Sequence, residues 1–164
     1  DSPDSGNIIM ENKQVAELND KQLSNLRNKS IGFVFQFHYL LPEFSALENV
    51  LIPTWIKKNS SNGDYAENLF SDLGLAGKLH SYPNQLSGGE GARVALIRGI
   101  INKPRILFAD EPTGNLDEEN ASNLIKLLMK INKKYNQAIV ITTHNPNVAN
   151  IGNKKFKLEK GNLK

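Results

Sequence analysis

The sequence predicts an α/β domain built on a parallel sheet covered by helices. Three observations carry this. Ile31–Phe35, Arg105–Ala109 and Ala138–Thr142 are strand-length runs of the continuous apolar kind that a parallel sheet buries. The second half alternates helix, strand, helix, strand, helix, which implies helices on both faces of that sheet. The 164 residues are enough for one domain with a sizeable core.

The elements follow in order. Asp1-Ser2-Pro3-Asp4-Ser5-Gly6 reads as a turn with nothing before it, so the chain is read as a fragment. Ile8–Met10 is a short strand, Glu11-Asn12-Lys13 a turn, and Gln14–Val15 a second short strand. Asp20–Lys29 has the look of a short helix, and Ile31–Phe35 is the first apolar strand. Ser45-Ala46-Leu47-Glu48 has the Ser-x-x-Glu form of a capping box, so a helix starts near Ser45. Lys57–Gly63 is a polar break. Asp64–Leu73 is helical, and Leu75–His80 is a further short helical piece. Next comes Gln85-Leu86-Ser87-Gly88-Gly89-Glu90-Gly91-Ala92, with Val94, Ile97 and Ile101 at helical spacing behind it. The spacing predicts a helix over Gly89–Ile101, ended by Pro104. Asp117 caps a long helix through Tyr135, with Leu124, Leu127, Leu128 and Ile131 on one face. Asn145-Pro146 is another helix start, and Phe156–Leu163 a last strand or hairpin.

Composition narrows the class. The chain is 39% hydrophobic and 23% charged, as soluble globular domains are. It has no cysteine, which excludes a disulfide framework and a thiolate metal site. His38, His80 and His144 show no metal spacing. The net charge of +3 is too weak and scattered to indicate nucleic acid, and Lys133–Lys134 and Lys154–Lys157 read as solvated faces. No signal peptide and no run long enough to span a bilayer is seen. A soluble chain is expected, attached to a membrane at most through a partner.

Ligands of open parallel sheets bind beyond the carboxyl ends of the strands. Gln36 follows the first strand, Asp110 and Glu111 the second, Thr143 and His144 the third. Singly, each is ordinarily a loop or turn residue. Together they suit phosphoryl transfer from a nucleotide. Asp110 closes an apolar strand, where a carboxylate can hold Mg²⁺. Glu111 can take a proton from an attacking water. Gln36 can coordinate the metal or orient that water, and His144 can stabilise charge on the γ-phosphate. Asp117 would lie beside the site as well as capping its helix. A helix beginning Ser87-Gly88-Gly89 offers free N–H groups to an anion. An ordinary Gly-rich turn is the alternative reading of that stretch.

These residues carry a resemblance. Leu86-Ser87-Gly88-Gly89-Glu90 resembles the signature motif of ATP-binding cassette (ABC) ATPases. Ile106–Glu111 resembles their Walker B strand with its catalytic glutamate. Gly114-Asn115-Leu116-Asp117 looks like the D-loop, Gln36 the Q-loop and His144 the H-loop. The five motifs stand in family order from Gln36 to His144. The resemblance implies a P-loop NTPase-type core of RecA-like form, with an α-helical subdomain over about residues 45–100. It implies ATP and Mg²⁺, with Glu111, His144 and Gln36 catalytic and Asp110 and Gln36 toward the metal. Ser87, Gly88, Gly89 and Asp117 would contact nucleotide held mainly by a second ATPase subunit in a head-to-tail dimer. A groove near Gln36–Phe44 would receive a helix of an integral membrane permease. The protein would sit on the cytoplasmic face of the inner membrane.

Within the family, Gln36–Val50 looks most like the ATPases of bacterial lipoprotein-releasing systems. Macrolide-exporter and cell-division ATPases share much of that segment. Phe37, Tyr39, Leu40, Leu41 and Phe44 serve both as core of the insert and as a docking surface, with Tyr39 and Phe44 the expected exposed anchors. Two departures stand out. No G-x-x-x-x-G-K-[ST] P-loop occurs; the family places it upstream of Asp1. Gly91-Ala92 replaces two longer polar residues, and a glycine costs ~1 kcal/mol inside a helix. Two other classes compete. A soluble ABC ATPase of DNA repair or translation would carry long insertions, whereas only residues 37–85 separate Gln36 from Leu86. A degenerate, non-hydrolysing cassette is disfavoured by Glu111 and His144.

Overall fold

The computed structural model describes residues 3–56 and 62–164. Asp1 and Ser2 of the expected opening turn, and residues 57–61 of the polar break, lie outside the described residues. Strands β1 (Ile9–Met10) and β2 (Lys13–Gln14) form an antiparallel hairpin. The turn uses only Glu11 and Asn12, both left-handed at φ 50° and 62°. A two-residue turn of that kind returns the chain at Lys13, so β2 starts one residue before the expected Gln14. Glu11 then accepts from Ser30 Oγ at 2.7 Å and pairs with Arg105 at 3.0 Å. Those contacts, the Ser30 hydroxyl first, hold its carboxyl below the usual range.

Helix α1 (Asp20–Ser30) begins in a reciprocal cap of Asn19 with Gln22. It runs straight into β3 (Ile31–Phe35), which pairs in parallel with β4 (Ile106–Asp110), and β4 pairs in parallel with β5 (Ala138–Thr142). The chain order across this sheet is β3-β4-β5. Both crossovers step in the same direction. Right-handed crossovers that all step one way put their helices on one face. That face carries Gly32, Val34, Leu107, Ala109, Ile139 and Ile141, and it joins the main core with Leu96, Ile97, Leu124 and Leu128. The opposite face holds Phe33, Phe35 and Val140, which are 42%, 38% and 43% exposed. Among the described residues, the sheet is therefore covered on one face, not on both as the alternation predicted. Phe108, Phe33, Phe35, Tyr39 and Phe37 make a continuous run of ring contacts along the bare side.

The first crossover carries helices α2 (Ala46–Ile56), α3 (Gly63–Asp72) and α4 (Gly88–Ile100), with short 3₁₀ turns at Ala76–Lys78 and Pro83–Gln85. Ser45 and Glu48 make the predicted cap, Ser45 N–H donating to Glu48 Oε2 at 2.8 Å. Leu69, Phe70, Val94, Leu96 and Ile97 are fully buried between these helices; each such side chain contributes about 1.5–3 kcal/mol. Helix α4 stops at Ile100, with Lys103 left-handed at φ 53° ahead of Pro104.

Asn49 of α2 is wholly buried. Its Oδ1 accepts from Leu41 N–H at 2.8 Å. Its Nδ2 lies 3.0, 2.9 and 3.0 Å from the carbonyls of Leu41, Phe44 and Ser45. One amide thus holds the loop between β3 and α2. Asn49→Ala is expected to cost about 2–3 kcal/mol, because buried backbone groups lose their partners. Urea unfolding of the intact protein measures it.

The second crossover is α5 (Glu118–Tyr135), capped by Asp117 as predicted. It ends at Asn136, left-handed at φ 49°, with Lys133 and Lys134 in the last turn. Leu124, Leu128 and Ile131 are buried, while Leu127 only borders the core. Helix α6 (Pro146–Ala149) starts at an Asn145 cap. Strands β6 (Leu158–Glu159) and β7 (Asn162–Leu163) close the chain as a hairpin.

Candidate functional site

Phe35, Asp110 and Thr142 stand level across β3, β4 and β5. The residues that follow each strand therefore leave one edge together, as the sequence predicted for Gln36, Glu111 and His144. Thr142 Oγ1 donates to Asp110 Oδ1 at 2.5 Å. Glu111 is left-handed at φ 42°, a conformation that costs a non-glycine residue about 1–3 kcal/mol. Two backbone bonds hold it there: Glu111 N–H to Thr142 O at 3.0 Å, and Gly114 N–H to Glu111 O at 3.0 Å. The chain turns away from the sheet at this point, and the Glu111 carboxylate meets the end of β5. Its Oε1 accepts from His144 N–H at 2.8 Å and lies 2.7 Å from His144 Nδ1. Thr143 Oγ1 reaches Oε2 at 3.3 Å. The Glu111 side chain is 22% exposed and that of His144 82%. A carboxylate half out of water is thus pinned to an imidazole that projects into it.

Gln36 lies against the 114–117 loop. Its Nε2 donates to Asn115 Oδ1 at 3.1 Å, and Asn115 Nδ2 donates back to Gln36 O at 3.2 Å. Gly114 makes room for this: a Cβ there would stand 2.8 Å from Gln36 Nε2. The Gln36 amide oxygen has no hydrogen-bond partner among the described residues.

The glycine-rich start of α4 meets the same loop from its other side. Ser87 caps the helix: Ser87 N–H donates to Glu90 Oε2 at 2.8 Å, and Glu90 N–H to Ser87 Oγ at 3.3 Å. The Ser87 N–H, with Lys78 at 3.2 Å, keeps the Glu90 carboxyl below its usual range. Gly89 has a packing reason, since a Cβ would fall 2.0 Å from Asn120 Oδ1. Asn120 in turn donates through N–H and Nδ2 to Asp117 at 2.8 and 2.7 Å. Those bonds lower the Asp117 pKa. At Gly88 a Cβ would meet only Leu116, at 3.8 Å, so its face of the helix start stays open.

Sequence reasoning missed the residues that hold these groups: Thr142, Thr143, Asn115 and Asn120. Asn115 stood inside the quoted D-loop stretch, but nothing local paired it with a residue 79 positions away. The aromatic anchors also differ in part. Tyr39 is 64% exposed as expected, Phe37 is 60% exposed, and Phe44 is half-buried against the Trp55 ring at 6.2 Å.

A family profile described as ABC transporter matches residues 1–114. The lipoprotein-releasing system ATP-binding protein of Cytophaga hutchinsonii is 48% identical over 163 residues, spanning 98% of this chain and 74% of that protein. The protein of the same name from Aquifex aeolicus is 44% identical over 168 residues, 99% of this chain and 73% of its own. A bacterial ABC transporter cassette solved as a dimer superposes with a TM-score of 0.85 at 34% identity, covering 99% of this chain and 73% of that one. A dimeric post-hydrolysis cassette bound to ADP and Pi superposes with a TM-score of 0.82 at 32% identity, over 99% of this chain and 73% of that one.

Proposed function

Because the chain belongs to the ABC transporter family, we propose that it is the ATP-hydrolysing subunit of a lipoprotein-releasing transporter. The observation that carries the reading is the level ending of three parallel strands. It gathers Gln36, Asp110, Glu111 and His144 on one edge, with Glu111 bonded to His144. The relatives that share nearly the whole chain carry the lipoprotein-releasing name, which favours that cargo over macrolide export or cell division.

In the proposed reaction water attacks the γ-phosphorus of ATP and ADP leaves. Glu111 takes the proton of that water. His144, fixed at Nδ1 by Glu111, presents its other edge to the charge that gathers on the γ-phosphate. Ser87, Gly88 and Gly89 contact the nucleotide of a second subunit across a head-to-tail dimer, and Asp117 borders the same seam. The Asp110 carboxylate and the Gln36 amide oxygen are hard donors of the kind Mg²⁺ takes, one or two from protein and the rest from phosphate and water. Mg²⁺ held there would neutralise phosphate charge.

Residues of about 45–100 are read as the helical subdomain and the remainder as the RecA-like core. Leu41 and Trp55 are exposed beside Phe44 and would offer an apolar surface to a permease helix. No helix among the described residues is long and apolar enough to cross a membrane. A peripheral place on the cytoplasmic face of the inner membrane follows from the permease partner.

The reading is tested with the intact protein. It should hydrolyse ATP only with Mg²⁺, sediment with membranes only when permease subunits are co-expressed, and then release a lipoprotein from them on adding ATP. Hydrolysis with no permease-dependent membrane binding would favour a soluble ATPase instead.

A further inference from the structure

Gly91 has no role in the site described above, yet its surroundings are specific. A Cβ at Gly91 would stand 2.9 Å from His38 Nδ1 and 3.4 Å from His38 Cε1. The imidazole of His38 fills the notch that the missing side chain leaves on α4. Its Nε2 is buried with no hydrogen-bond partner among the described residues. Burial, with Arg98 nearby, pushes the His38 pKa down and favours the neutral ring. Two turns further along the same helix, Arg98 donates from Nη1 to Tyr39 O at 2.7 Å and from Nη2 to His38 O at 2.6 Å. Arg98 pairs with no carboxylate among the described residues. Its fork is spent on two consecutive carbonyls, where a planar guanidinium fits and an ammonium does not. The chain it grips is bent, with Tyr39 left-handed at φ 46°.

The segment Gln36–Tyr39 is thus held at both ends. Asn115 takes Gln36, and α4 takes His38 and Tyr39. Helix α4 is also the helix that begins Ser87-Gly88-Gly89. We propose that Arg98 and His38 are positioning residues that fasten the segment behind Gln36 to α4. The place of the Gln36 amide then follows the place of the helix start across from it. Gly91 is the residue whose lack of a side chain lets His38 seat. This inference rests on the ATPase reading, in which Gln36 acts on water or metal.

The test uses the intact protein as wild type, Arg98→Lys, His38→Ala, Gly91→Ala and the Gly91→Ala/His38→Ala double variant. Steady-state ATP hydrolysis and backbone hydrogen exchange over residues 37–44 are the readouts. Arg98→Lys keeps the charge but loses one of two charge-assisted bonds, so kcat should fall about tenfold. KM for ATP should change less than about twofold, because the ground-state contacts remain. Exchange over 37–44 should quicken, with α5 unchanged. Gly91→Ala should lower kcat when His38 is present and have no further effect in the His38→Ala background. The proposal is overturned if Arg98→Lys matches wild type in kcat or in exchange, or if Gly91→Ala has the same effect in both backgrounds. Should the wild type fail to hydrolyse ATP, the ATPase reading falls, and the exchange data still decide whether the segment is fastened.

Discussion

Glu111→Gln is expected to stop ATP hydrolysis while leaving ATP binding intact. Turnover of the intact protein falls by about 10²–10⁴-fold, the usual worth of a positioned general base. The substitution is nearly silent to the fold. The amide oxygen can keep the bond from His144 N–H, now 2.8 Å. The new NH₂ meets the Thr143 hydroxyl, now 3.3 Å away, and a hydroxyl can turn to accept. What disappears is the carboxylate that is proposed to take the proton of the attacking water. In the proposed dimer, nucleotide would then stay unhydrolysed between two subunits. Phosphate release should vanish, and size-exclusion chromatography in ATP should show a persistent dimer. Normal phosphate release would remove Glu111 from the mechanism and leave His144 as the candidate base.

Gly32→Ala unseats α4 from the sheet. A Cβ at residue 32 would fall 2.1 Å from the carbonyl oxygen of Gly99 and 2.9 Å from Leu107 Cδ1. The first of these is backbone of a buried helix, which cannot rotate aside as a side chain can. Gly99 repeats the restriction from the helix side, with a Cβ 3.0 Å from Phe33 O. Relief requires α4 to lift, and Gly99 to lose its close seat against Phe33, Val34 and Leu107. Overpacking of this severity lies at or beyond the upper end of about 1–3 kcal/mol. At about 3 kcal/mol the Tm falls by roughly 6–12 °C. Gly77→Ala, where a Cβ meets nothing within 4 Å, is the control and should stay within about 0.5 kcal/mol. Thermal melts of the two variants side by side separate crowding from a general intolerance of alanine.

The strands and most helix limits were legible because their signals are local. Ile31–Phe35 and Ala138–Thr142 were read to the residue, since apolar runs bounded by polar ones mark their own ends. Asp117 is legible as a cap and Asn145 as a helix start, and each accepts the backbone bond that a cap should. The placing of Gln36, Asp110, Glu111 and His144 on one edge followed from the parallel topology alone. That the described residues cover one face of the sheet was not legible, because it depends on the direction of each crossover and not on the alternation of elements. Nor were the partners of Gln36 and Gly91 legible. Asn115 and His38 are brought to them by tertiary packing, and no periodicity in the chain encodes such a pairing.

The contact between Gly89 and Asn120 has a mechanical consequence. Asn120 is tied by two bonds to Asp117 and fills the space over Gly89. The first turns of α4 and α5 are therefore geared together through one short, stiff side chain. A shift of either would press on the other through Asn120. In the proposed dimer, a stroke that drew Ser87 and Gly88 away from a neighbouring subunit's nucleotide would pull on Asp117 as well. The two loops would then open and close as a single jaw.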